Sequence, residues 1–580
     1  MAPSRSGRKG NAQQRYARAG CRAGCRAGAE QAGRILFRTG SAPPVLGELR
    51  SRPSSTRPPI LPTDTPSCAA AHAAPTRRAV LAAGLAAGSG LLSGPARAAE
   101  PPPFPGPGAP FDREALVAHA RERARGPYVA PRTDDLPAAL RELGREAYAA
   151  IRPAPGRGVW EGEDSGWILE PLPRGSIFSQ PVQLFLVEGG EVRPLPYDRS
   201  RFQAEGVSLP DLPSEAGYSG LRLRARVQGG EPAEIGVFQG ASFFRLCAPG
   251  QELGVTARAL TLRPADARGE EFPLFRALYA ERPEAGGALV LHALVESESA
   301  VAALRFRIAP EARATVCDVE AAIFARQPLD HLGLGGCQAS YLFGPLDRRN
   351  VDDARSAVHA TDGLAIANGS GEQIWRPVHN PDALQISAFV DDNPRGFGLM
   401  QRARAFRDYE DDVQHWERRP SLWLEPRDDW GRGSVVLLEI PSDSEANENV
   451  LAYWRPKETL PKDGALQVAY RQHWVWERPA PSTLARVTAS RGGRGSAGPR
   501  RLFLVDFAGE DLAEAGGLDL ALSAAPGTIT RQQLLPDPGA KTARVAFELD
   551  PGSERASELR LQLRRGDRPV SETWLYRWTP

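Results

Sequence analysis

The sequence predicts an all-β protein of two sandwich domains behind a disordered leader, and three observations predict it. Nearly everything after Trp160 reads as short alternating or apolar runs set between Gly, Pro and Asp turns. Helical periodicity is confined to two early segments, Arg113 to Ala124 and Leu136 to Ile151, the second with Asp134-Asp135 as expected caps. Residues 1–75 are rich in Arg, Ala, Gly, Ser and Pro with almost no apolar periodicity, so they cannot bury enough surface to offset chain entropy.

The elements follow in order. Residues 1–75 read as disordered chain or as an extension upstream of the natural start. Residues 76–99 have the layout of an export signal: Thr76-Arg77-Arg78, a weakly apolar stretch to Leu92, then Ala96-Arg97-Ala98. The paired arginines point to the twin-arginine route and hence to a periplasmic destination. That stretch is too short and glycine-rich for a membrane span, which needs about 20 apolar residues. A large β-sandwich is expected over 100–475, with strands at Pro181 to Val187, Leu221 to Val227, Ala288 to Val295, Leu304 to Ile308, Leu384 to Val390 and Ser434 to Ile440. Pro479, Pro481, the run Arg491-Gly492-Gly493-Arg494-Gly495 and Pro499 predict a linker over 476–500. Strands at Arg501 to Asp506, Arg544 to Leu549 and Leu559 to Leu563 predict a smaller sandwich over 501–580.

Charge and motif content exclude several classes. Residues 1–99 hold 15 basic and 3 acidic residues of the chain's 72 and 70, leaving 57 basic against 67 acidic and a net charge near −10. Such an acidic body is a poor partner for nucleic acid or anionic lipid. No metal-ligand spacing, phosphate-binding Gly loop or Gly-x-Ser-x-Gly elbow is present, so no metal and no cofactor are expected. Cys247, Cys317 and Cys337 remain after the leader, an odd set that would permit one disulfide in an oxidising compartment.

The run Gln373 to Arg404 carries the chemistry of sugar binding. Trp375 offers a flat ring for a pyranose face, Arg376 a guanidinium fork for hydroxyls, and Asn380-Pro381 and Asn393-Pro394-Arg395-Gly396 are shaped turns. The alternative is that Trp375 fills a core and Arg376 pairs with a local acid.

That run resembles the periplasmic glucan biosynthesis proteins, types G and D. Colinear blocks extend the resemblance from about Phe111 to the C-terminus: Gly240 to Arg245, Glu270 to Pro273, Glu281 to Pro283, Arg419 to Ser421, Trp430 to Ser434, Ala452 to Trp454 and Ser571 to Trp574. The resemblance implies a galactose-mutarotase-like β-sandwich with a cleft, a C-terminal immunoglobulin-like domain, a β-1,2-linked glucan as ligand, and a membrane glucan synthase as partner. Some members resemble or are inverting endo-β-1,2-glucanases, which need an acid and a water-activating base. The relatives' acid segment corresponds to Asn447 to Trp454 and places Glu448 at the acid. Their base segment corresponds to His359 to Leu364, where Ala360 replaces the expected carboxylate and Asp362 is the candidate to take over as base through a water, its alternative being to stabilise the turn beside Gly363. Arg245, Glu271, Arg282, His359, Trp375, Arg376, Arg395, Gln401, Arg402 and Trp454 are the matched candidates for lining the cleft. Arg282 and Arg376 are equally suited to internal ion pairs. Three readings stand: a glucan-binding protein that trims with Glu448 as acid, a non-catalytic glucan-binding or scaffold protein, and a hydrolase or lyase of another polysaccharide.

Overall fold

The computed structural model describes residues 108–348, 351–479, 483–514 and 516–580; the expected leader and export signal lie outside them. Two sheets face each other over most of this length. One has ten strands. Its path runs Trp167–Leu172, Gly220–Arg226, Pro232–Gln239, Phe243–Leu246, Thr256–Arg258, Leu332–Ala339, Val450–Pro456, Arg432–Glu439 and Gln385–Asp392, with Thr261–Leu262 beside Leu332–Ala339. The other has fifteen strands, and its central run from Gly363–Ala367 through Ala465–Val475 and Ala314–Ala325 to Leu274–Glu281 covers the first.

The core between them follows from period two in the strands. Phe244 and Leu246 point in while Phe243 and Arg245 point out; Ala452 and Trp454 point in while Leu451 and Tyr453 point out. Phe238 stacks on Phe244 with ring centroids 5.0 Å apart, and Phe306 from the opposite sheet meets Phe244 edge-on at 5.1 Å. The fifteen-stranded sheet is covered outside by the helix Arg113–Arg125. Asp112 caps that helix by accepting from the Glu114 amide, and Leu116, Ala120 and Ala124 form its buried stripe against Tyr279, Leu294 and Val301.

The same fifteen-stranded sheet continues into a second sandwich. The strand Gln373–Pro377 pairs in parallel with Thr573–Trp578, Trp375 opposite Trp574, and Ser557–Arg565 and Asp519–Ala525 follow. A four-stranded sheet of Arg486–Arg494, Arg501–Ala508, Thr542–Asp550 and Thr528–Asp537 closes over them. Phe503, Phe547, Trp574 and Tyr576 fill this core together with Trp375 and Trp423 of the larger body.

Three local expectations are corrected. The helix expected over Leu136 to Ile151 is two short pieces, Ala138–Arg141 and Arg145–Ala149, because Gly144 interrupts it and Ile151–Pro153 leaves as a strand beside Phe202–Ala204. Asp135 pairs with buried Arg174 at 2.8 Å instead of capping. The span 476–500 contains the strand Arg486–Arg494, with its turn to Arg501 at the expected glycines. Gly492 donates its amide to Pro345 O, and a Cβ there would sit 2.7 Å from Leu346 O, so the glycines permit close approach to the larger sandwich as well as flexibility. Cys247, Cys317 and Cys337 are separate buried thiols, and burial pushes those of Cys247 and Cys337 up to about 12. No helix among the described residues is long and apolar enough to cross a membrane.

Glu439 ties the two large sheets together. It is fully buried, 3.0 Å from both Arg376 Nη2 and His379 Nδ1, and accepts from the His379 amide. Burial alone would raise its carboxyl, but Arg376 and His379 outweigh this and hold it at about 2 against an ordinary 4.5. Its stabilisation is therefore complete above pH 4.5 and is lost as pH falls toward 2. Glu439→Gln strands Arg376 without a counter-charge, so urea unfolding should report a loss of about 3–5 kcal/mol and a weaker acid dependence between those pH values.

Candidate functional site

The outer face of the ten-stranded sheet gathers polar and aromatic side chains at one level. Cross-strand partners point to the same side, and register places Glu170, Arg222, Val237 and Arg245 in one row and Thr256, Gln338, Leu451, Leu438 and Ile386 in its continuation. Glu448, two residues before the strand Val450–Pro456, reaches over this row with about a fifth of its side chain exposed. One carboxylate oxygen accepts from Arg245 Nη2 at 3.2 Å and from the Thr256 hydroxyl; the other accepts from Gln338 Nε2 at 2.6 Å.

The network continues sideways. Gln338 Oε1 accepts from Arg258 Nε at 2.6 Å, and Arg258 Nη1 donates to Glu270. Arg258 also lies over the rings of Phe243 and Phe272, at 5.3 and 6.0 Å, and Phe272 is half exposed. Beside them Tyr453 OH meets His331 Nε2 at 2.7 Å, and burial lowers the His331 pKa. Accessible rings, a guanidinium fork, amides and two carboxylates on a broad sheet are the groups that grip a sugar chain by stacking and hydrogen bonds.

Asp362 belongs to a different cluster. Its carboxylate accepts from the amides of Arg402 and Ala403, with Oδ1 3.7 Å from His359 Nε2, at a cavity of about 50 Å³ that Tyr341, Trp375 and Val487 also line. His359 is buried between Tyr341, stacked at 5.2 Å, and Gln401 at 3.2 Å, and burial lowers its pKa. Among the described residues Asp362 and Glu448 share no hydrogen-bond or ion-pair partner. Ala360 is buried.

The other expected site residues divide the same way. Trp375 is 3% exposed and covered by the Arg402 guanidinium 3.6 Å from its ring, so neither face is open to a sugar. Trp454 is fully buried between the sheets. Arg376 is consumed by Glu439, and Arg402 by Glu572, which it grips with both nitrogens at 2.9 Å. Gln401 is buried and donates to the carbonyls of His359 and Trp416. Glu271 is partly buried and engaged, accepting from Arg263 and Ser299. Arg282 pairs on the surface with Glu163 at 2.6 Å, and Arg395 is exposed in its turn. Of the matched residues only Arg245 stands with Glu448. Thr256, Arg258 and Gln338 escaped the sequence reading, and Glu270 and Phe272 entered it only as members of a matched block, not as site residues. The polar alternation in Phe243-Phe244-Arg245 marks a strand with one buried and one more open face, but Thr256-Ala257-Arg258 is buried throughout, so its polar residues carry no such signal.

The family described as "Periplasmic glucan biosynthesis protein, MdoG" matches residues 111–578. A glucans biosynthesis protein G of Rhodopseudomonas palustris (strain BisA53) is 42% identical over 475 residues, which is 81% of this chain and 94% of that protein. One of Vibrio cholerae (strain ATCC 39315 / El Tor Inaba N16961) is 39% identical over 477 residues, 81% and 87% of the two chains. Among solved structures, the GH36 alpha-galactosidase AgaA of Geobacillus stearothermophilus aligns at a TM-score of 0.22 and 9% identity, over 44% of this chain and 39% of that one, a likeness too slight to carry an argument.

Asp362 orders two backbone amides, so Asp362→Ala should cost about 2 kcal/mol in urea unfolding. Asp362→Asn, which keeps one acceptor oxygen, should recover part of that loss.

Proposed function

The chain belongs to the periplasmic glucan biosynthesis protein family, MdoG, and from that premise we propose that it holds the glucan backbone on the outer face of its ten-stranded sheet, around Glu448. Its role is in glucan biosynthesis, and the family is periplasmic. The observation that carries the proposal is the network Arg245–Glu448–Gln338–Arg258–Glu270 beside exposed Phe272. A β-1,2-linked backbone is the ligand that the sequence resemblance implies, with a membrane glucan synthase as partner and the twin-arginine signal as the route of export.

Binding without cleavage is the reading we favour. Inverting hydrolysis asks for two carboxyl groups facing one glycosidic bond, roughly 6.5–9.5 Å apart. Glu448 has the accessible position for the acid, but Asp362 is engaged by two amides in another cluster and position 360 carries no acceptor. The trimming alternative keeps one supporting observation, the second carboxylate Glu270 on the same face as Glu448.

Calorimetric titration of the purified chain with linear β-1,2-glucan should give saturable binding in roughly the micromolar range. Glu448→Gln and Arg245→Ala should each weaken it about tenfold or more, through loss of a charge-assisted bond. No new reducing ends should accumulate; their accumulation in wild type and loss in Glu448→Gln would replace the binding reading with hydrolysis. Absence of any glucan binding would remove both.

A further inference from the structure

We propose that the cavity between the two sandwiches is a binding site for a small anion bearing carboxylate or phosphate groups. The cavity encloses about 690 Å³, a size suited to a small organic ligand, and Arg402, Arg404, Arg478 and Arg486 line it.

Its charges do not cancel locally. Of the four lining carboxylates, Glu572 is gripped by Arg402, Glu510 by Lys541 at 2.8 Å, and Asp511 lies 3.3 Å from Arg568. Only Glu477 remains without an ion-pair partner among the described residues. Arg404, Arg478 and Arg486 likewise form no ion pair there, so three guanidinium charges face one carboxylate.

Arg404 supplies charge held in place, and Arg478 supplies charge together with donors. Arg404 donates both Nη groups to the carbonyls of Glu417, Arg419 and Trp476 and to the Ser421 hydroxyl, so it is held in place with no ion-pair partner among the described residues. Arg478 lies 3.8 Å from the Trp423 ring centroid and donates Nη1 to Gln373 Oε1 at 2.7 Å, while its Nη2 has no acceptor among the described residues. Removing two such groups from water without neutralising them is unfavourable, and burial lowers the pKa of both. An anion in the cavity offsets that cost, and the planar forks suit carboxylate and phosphate geometry. Trp476, which lines the cavity under Arg404 at 5.4 Å, and Trp423 behind Arg478 keep the two guanidinium groups oriented before any ligand arrives.

The test is calorimetric titration of the full chain with sodium phosphate and, separately, with citrate at constant ionic strength. One-to-one binding at about 1 mM or tighter by either probe is expected, weakened about tenfold or more in Arg478→Gln and in Arg486→Gln. Phosphate alone or citrate alone identifies which anion class the forks take. No saturation of wild type by about 10 mM of either probe overturns the proposal, as does equal affinity in the Arg478→Gln/Arg486→Gln double variant. If that double variant does not fold, a crystal of the wild-type chain soaked in phosphate decides: an ion on Arg478 or Arg486 in the cavity supports the site and its absence there overturns it. None of these residues lies on the Glu448 face, so either outcome leaves the glucan reading to its own test.

Discussion

The ion pair between Arg376 and Glu439 is the interaction on which the arrangement of this molecule depends. Arg376 stands on the fifteen-stranded sheet and Glu439 on the ten-stranded one, and both are essentially without solvent. Tyr576 of the C-terminal sandwich lies 5.5 Å from the same guanidinium. A buried ion pair adds little net stability over a well-packed apolar pair, but it is intolerant of mispairing, because either charge alone in that interior is strongly unfavourable. One side chain thus ties the two large sheets together beside the strand through which the C-terminal sandwich joins them.

The neighbouring residue extends the constraint. Trp375 pairs opposite Trp574 across a parallel junction, and its ring is capped by Arg402, which reaches Glu572 two residues earlier on the same C-terminal segment. The two sandwiches are therefore joined by backbone pairing, by stacking and by an ion pair within a few residues. This explains why the junction is rich in arginine: planar cations can stack on tryptophan and fork onto carboxylates at once. It also explains why the junction, although built of groups that could grip a sugar, presents few of them to solvent.

The glucan-facing surface is built on the opposite logic. The outer side of the ten-stranded sheet binds its polar groups to one another, from Arg245 and Glu448, which stay partly exposed, to Gln338 and Arg258, which are buried beneath them. Such a network is ordered before a ligand arrives, which lowers the cost of fixing a flexible polysaccharide. Asp362, held by backbone amides under the junction, belongs to the scaffold of the joint.

Much of this architecture was legible in the chain. The alternating run at Gly220–Arg226 and the apolar runs at Leu289–Glu296 and Arg432–Glu439 marked strands, and the apolar stripe of Arg113–Arg125 marked the helix, because the local pattern reflects which faces are buried. The colinear blocks identified the family, and Glu448 and Arg245 were placed among its candidates. What sequence could not decide was which aromatic and charged residues are spent on packing. Trp375 and Phe272 are both exposed-looking rings beside polar residues, yet one is buried at the junction and the other half open on the sheet face. That difference arises from contacts across some two hundred residues, such as Trp375 with Trp574 and Arg245 with Glu448. The order and type of the elements were written locally; the division of the same side chains between joint and binding face was made only where distant strands met, since burial is a property of the assembled layers.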